Sequence, residues 1–155
     1  MTSALRRLVI PALLMTALAG CGSTGPDTYE LDEKHIQVDA GEEFTLSVPV
    51  DTAMGEWWYL TSPEPDPDVV RKTDKREEIE ADDDAVGSGS GTDFFDFKAV
   101  APGTTEIRLI QCPHGACVGD ADGPVTPSPV PSGSPTPQKK YRATIHTFTV
   151  TVRKS

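Results

Sequence analysis

The chain predicts an all-β fold, an Ig-like antiparallel β-sandwich of about seven strands. Three observations carry that expectation. Phe44, Leu46, Val48 and Val50 alternate with Glu43, Thr45, Ser47 and Pro49, the period of two of a half-buried strand. A β-branched run, Tyr141–Arg153, closes the chain with the same alternation. Between them, short apolar segments are separated by Gly- and Pro-rich turns, and no long helical pattern interrupts them.

Residues 1–20 read as a targeting segment rather than as structure. Arg6 and Arg7 supply a positive start, and Leu8–Leu18 is an apolar run too short for an ordinary spanning helix. Its end, Leu18-Ala19-Gly20-Cys21, resembles the lipobox of bacterial lipoproteins. That resemblance implies lipidation of Cys21 and an extracytoplasmic protein anchored to the bacterial cell membrane by its acyl chains. The alternative is an ordinary secretory signal in which Cys21 is incidental. Residues 21–34 are expected to be a tether, since Gly, Ser, Thr, Pro and Asp dominate much of them. The sandwich domain is expected over 35–155.

The elements follow in order. His35–Val38 is a short first strand, ended by Gly41. Glu43–Val50 is the strongest strand, with Pro49 at its end or at an edge because proline has no N–H to donate. Asp51–Met54 is a polar turn closed by Gly55, and Trp57–Thr61 is the next strand. Adjacent Trp57 and Trp58 must point to opposite faces, so one of them is core. Ser62–Asp68 has prolines at alternate positions and is a connecting loop. Val69–Lys72 is a brief strand, and the charge-dense Thr73–Asp84 is expected as a solvated loop. Residues 87–92 form a flexible glycine loop. They lack the Gly-Lys-Ser/Thr of a P-loop, and a strand follows them where a dinucleotide fingerprint needs a helix. Phe95, Phe97 and Ala99 mark another strand, Ala101–Thr104 a turn, and Glu106–Gln111 a further strand. An insertion over 113–138 holds half of the 14 prolines and is expected to be an extended, poorly ordered loop. In the terminal strand His146, Phe148, Val150 and Val152 share one face.

Charge and chemistry narrow the function. A formal net charge of −10 argues against nucleic-acid binding, which needs a basic patch to displace counterions. The acidic run at 77–84 does not have the spacing of a calcium-binding loop. There are 3 cysteines, and lipidation would account for Cys21. Cys112 and Cys117, in C-P-H-G-A-C, then remain as a pair. They fit a disulfide, a metal site with His114, or a redox pair. No second cluster offers zinc a fourth ligand, and the spacing is not C-x-x-C. A structural disulfide is favoured, with no metal and no cofactor. His35, His114 and His146 accompany no G-x-S-x-G elbow, so no enzyme is expected.

Three separated stretches together resemble the chagasin family of cysteine-protease inhibitors. The family's first loop reads roughly N-P-T-T-G-Y-x-W, and Asp51–Trp58 matches it at Gly55 and Trp58. Its glycine-rich second loop precedes an F-x-F-x-A strand, as 87–92 precedes Phe95–Ala99 with about one extra serine. Gly103-Thr104 and Ile107–Leu109 also look like the family. Its third loop carries R-P-W, of which Pro113 is retained beside His114. The resemblance implies an Ig-like sandwich whose three loops enter the active-site cleft of a papain-like cysteine protease. The implied contacts are Thr52, Ala53, Met54, Gly55 and Trp58, then Gly89, Ser90 and Gly91, then Pro113 and His114. A monomer is expected. The other reading kept open is a non-inhibitory Ig-like extracytoplasmic protein-binding module.

Overall fold

The structure, a computed structural model, describes residues 25–80, 89–119, 125–129 and 141–155. The expected targeting segment, Cys21, Gly87, Ser88 and much of the proline-rich insertion lie outside the described residues. The strands are β1 (Asp27–Tyr29), β2 (His35–Asp39), β3 (Glu43–Asp51), β4 (Glu56–Leu60), β5 (Val70–Glu80), β6 (Ser90–Ala99), β7 (Gly103–Pro113), β8 (Cys117–Val118), β9 (Thr126–Pro127) and β10 (Thr144–Arg153). One sheet has the order β1-β3-β6-β5 and the other β2-β10-β7-β4. β8 and β9 pair separately.

The alternating patterns become the inner faces of the two sheets. Phe44, Leu46, Val48 and Val50 are buried against Phe95, Phe97 and Ala99 of β6 and against Ile107, Leu109, Phe148, Val150 and Val152 of the second sheet. Phe44 and Phe97 stack at 5.5 Å, and Tyr29 meets the Phe44 edge at 6.1 Å. This is the expected sandwich. The sheets are mixed rather than wholly antiparallel. β1 runs parallel to β3, and β2 runs parallel to β10, each at a sheet edge.

Four expectations change. The tether was expected to run to residue 34, but Asp27–Tyr29 joins β3, because Tyr29 has the Phe44 ring to pack on. Thr73–Glu80 is not a loop but most of β5, which pairs with β6 along its whole length. Its charges suit an edge strand, where they discourage pairing with a further chain. Ser90–Thr92 belongs to β6 rather than to a free glycine loop, since Gly91 pairs with Val50 on one side and Ile79 on the other. The described part of the insertion, expected as an extended, poorly ordered loop, carries packed and paired residues. Val125 is buried, and Thr126–Pro127 pairs with Cys117–Val118.

Candidate functional site

Strand register brings three connections to one end of the sandwich. β3 ends where β6 begins, Asp51 opposite Ser90, and β5 ends there too, Glu80 opposite Ser90. β4 begins where β7 ends, Glu56 opposite Pro113, and β10 starts beside them, Thr144 opposite Gln111. The connections after β3, after β5 and after β7 therefore share this end.

The first connection is a single 3-10 turn, Thr52–Met54. Asp51 caps it, its Oδ1 accepting the Met54 N–H at 3.1 Å. Gly55 ends it with φ of 60°, a left-handed conformation that glycine adopts without a Cβ clash. Its base is held from inside, where the Trp58 Nε1–H donates to the Pro49 carbonyl at 2.9 Å. Asp51 thus supplies the cap that closes this turn.

This turn joins both neighbours. The Thr52 N–H and the Thr52 hydroxyl both donate to the Gly89 carbonyl, at 2.8 and 2.9 Å. A Cβ on Gly89 would collide with Thr52 Oγ1, so the approach depends on glycine. On the other side the His114 N–H donates to the Gly55 carbonyl at 3.0 Å. His114 has φ of 49°, uncommon for a residue with a side chain, and its ring lies 5.2 Å from the Tyr141 ring. The Cys112–Cys117 disulfide closes the third connection. Both sulfurs are committed to each other, so the metal site with His114 is excluded.

The expected contact residues divide by exposure. Ala53, Met54, Ser90 and His114 are exposed, and Thr52, Gly55 and Gly91 are half-buried. Met54 stands at the tip of the turn, 41% exposed. Trp58 is fully buried and packs 5.0 Å from the His146 ring, so it serves the core and not a contact surface. Gly89 and Pro113 are buried as well and shape the loops from beneath. The outward tryptophan is Trp57. Among the described residues, the exposed large apolar side chains Met54, Trp57, Ile79, Val118, Tyr141 and Ile145 lie at or beside this end, and Val100 lies at the other. Sequence reasoning missed Trp57, Tyr141 and Val118. A lone Val118 and a lone Val125 in a run of Gly, Pro, Ser and Asp are the signal that a packed element was there.

A buried charge supports the same end. Lys75 points inward from β5 and pairs with the fully buried Asp93 at 2.9 Å. It also donates to the Trp58 carbonyl at 2.9 Å, linking the edge of the first sheet to β4 of the second. The Asp93 carboxylate gains Coulombic attraction from Lys75 without a well-aligned hydrogen bond. Desolvation, and then the Asp93 charge opposite it, raises the Glu77 carboxyl above its ordinary value. His146 is held neutral more readily than usual, by burial first and by the Lys34 charge second. Lys34 itself sits 4.2 Å above the Phe148 ring.

No cluster of His, Cys, Asp and Glu among the described residues has the form of a metal site. Among the described residues the arrangement offers no nucleophile paired with a base. In its described part it offers a cross-tied edge, Gly89 to Thr52 and Gly55 to His114, with Met54 exposed at the tip of the first turn.

Comparison with known proteins adds to this geometry. The profile of the family described as "Chagasin family peptidase inhibitor I42" matches residues 37–116. No curated protein matches the chain. Among solved structures, the cysteine protease inhibitor EhICP2 from Entamoeba histolytica is similar, with a TM-score of 0.53, 13% identity, and 82% of this chain and 95% of that chain covered. Amebosin is similar with a TM-score of 0.49 and 14% identity, over 83% of this chain and 100% of that one. PbICP-C, solved in complex with falcipain-2, has a TM-score of 0.43 and 15% identity, over 85% of this chain and 95% of that one.

Proposed function

Since this chain belongs to the chagasin family of peptidase inhibitors, we propose that it inhibits papain-like cysteine peptidases by seating its three connections in the active-site cleft. As a member of an inhibitor family it is not an enzyme. The observation that carries the finer reading is the cross-tie, Gly89 to Thr52 and Gly55 to His114, which joins the described residues of the three connections along one edge. Such ties matter because each side chain or loop ordered on binding subtracts from affinity. Met54, Ala53 and Thr52 enter the cleft from the first turn, Ser90 and Gly91 flank them, and His114 closes the far side. The tip supplies no strained or extended peptide for the peptidase to cut, because the backbone there is a closed, capped turn. An interface of this kind buries about 1,600 Å².

We further propose that acyl chains on Cys21 hold the protein, as a monomer, on the extracytoplasmic face of the cell membrane. The topology supports this orientation. β1 starts opposite Phe44, at the end of the sandwich away from the three connections, so an anchor there leaves them facing outward.

The test is a titration of the full chain against papain, following hydrolysis of a small fluorogenic substrate. Inhibition at or below micromolar concentration is expected. A folded chain that leaves hydrolysis unchanged at that concentration contradicts the reading for that peptidase and favours the non-inhibitory binding module. For the anchor, Cys21→Ser should move the protein from the membrane fraction to the soluble one, and a retained membrane fraction argues against it.

A further inference from the structure

The outer face of the second sheet carries an apolar feature beside the three connections. Cys112 of β7 is bonded to Cys117 of β8, and β8 pairs with β9. Thr61 donates its hydroxyl to the Val125 carbonyl at 2.7 Å. Ile110, Cys112 and Val125 are buried there, with Tyr59, Cys117 and Ala143 packed against them. The described part of the insertion is thereby fastened to the sheet by a covalent bond, a buried hydrogen bond and a small core of its own. Next to it is a cleft of about 120 Å³ whose lining includes Trp57, Tyr59, Val118 and Gly119. Trp57 is 43% and Val118 49% exposed. Either one alone on a surface needs no explanation. Together they flank one cleft, on a support held rigid at small further cost in entropy.

We infer that Trp57 and Val118 form an apolar shoulder that contacts the inhibited peptidase outside its cleft, against apolar surface on the cleft's rim. This deepens the inhibitor reading and rests on it. Continuity decides the partner. Trp57 lies two residues beyond Gly55, whose carbonyl accepts the His114 N–H, and it is the cross-strand partner of Cys112. A body seated over Met54 and His114 borders the shoulder directly. Tryptophan is also the side chain most often found to dominate such interfaces, because it buries a large area with few rotors. The shoulder then selects among peptidases that share a cleft but differ at the rim.

The experiment uses the full chain labelled with 5-fluorotryptophan and observed by fluorine NMR while unlabelled papain is added. The chain has 2 tryptophans, and buried Trp58 serves as an internal reference for the fold. Trp57→Phe assigns the two resonances. Inhibition constants are measured for Trp57→Ala and Val118→Asp beside the parent. The expected result is a shift of the Trp57 resonance on binding and an inhibition constant raised about tenfold by each variant. If papain is inhibited while the Trp57 resonance stays put and both variants inhibit as well as the parent, the shoulder is overturned and the three-connection reading stands. If the parent itself fails to inhibit, the reading beneath falls and the shoulder with it. A Trp57 resonance that shifts with the chain's own concentration, without papain, assigns the shoulder to a second copy and overturns the inference.

Discussion

The two ends of the sandwich are built from different materials. At the end away from the three connections, turns are closed by polar and charged ties. Gly41 and Ala99 exchange backbone bonds with their neighbours, the Gly41 N–H donating to Ala99 and the Ala99 N–H to Glu42, each at 2.9 Å. Arg153 pairs with Asp39 at 2.9 Å, and Val100 is the large apolar side chain exposed there. At the other end, ties between connections are just as short, but Met54, Trp57, Ile79 and Val118 are exposed there and an ion pair with a buried carboxylate lies beneath. The first end closes the fold. The second gathers several exposed apolar groups, the feature by which interaction surfaces are recognised.

The largest effect should come from breaking the buried charge. Lys75→Met leaves the buried Asp93 carboxyl group without its partner, and should cost about 3 kcal/mol of stability in urea unfolding. Arg153→Met removes an exposed pair at the opposite end and should cost at most about 1 kcal/mol. Equal losses in the two variants would erase the distinction between the ends.

Next in size is the disulfide. A bridge over so few residues contributes about 2 kcal/mol in the chain-entropy description, so the double variant Cys112→Ser/Cys117→Ser should unfold earlier by that amount. Inhibition should weaken as well, since the His114 turn loses its closure. A double variant with unchanged unfolding and unchanged inhibition means the bridge has no role in shaping this end.

Met54→Asp should leave stability within about 0.5 kcal/mol, as exposed substitutions do, while raising the inhibition constant tenfold or more. Val100→Asp, its counterpart at the other end, should change neither quantity. Comparable losses of inhibition in both would separate inhibition from the three connections.

The smallest effect is on pH dependence. The lowered His146 value means that the native state holds fewer protons than the unfolded chain between that value and the ordinary 6.5. Its stabilising effect is therefore present above 6.5 and fades as pH falls toward the lowered value. His146→Phe should flatten that part of the stability profile. Midpoints recorded from pH 7.5 downward check the slope, and an equally steep profile in the variant would assign it to other groups.

How much of this was legible follows from range. Alternation is a local property, so Phe44–Val50, Phe95–Ala99 and the face shared by Phe148, Val150 and Val152 were readable and became the core. β5 was not, because its charged composition says loop while the strand it pairs with, β6, starts only at Ser90. A register shift between Lys72 and Asp74 also hides which of its residues face inward. Lys75 points into the sandwich for that reason, and nothing adjacent to it in the chain reveals the buried Asp93.

The site divides the same way. Gly55 and the turn it closes were visible from residue type alone, because a left-handed position and a capping aspartate are local requirements. That one tryptophan of the pair is core also followed from the strand period. Which one it is depended on residues distant in the chain: Trp58 packs on His146 of its own sheet and donates to the Pro49 carbonyl of the opposite one, leaving Trp57 outside. By itself the sequence determined a sandwich with turns at stated places, since backbone sterics and hydrophobic period act over a few residues. Only the tertiary structure decided that three of those turns meet, with Gly89, Thr52, Gly55 and His114 joined in one line. Strand order sets that meeting, and strand order is fixed by contacts between residues far apart in the chain.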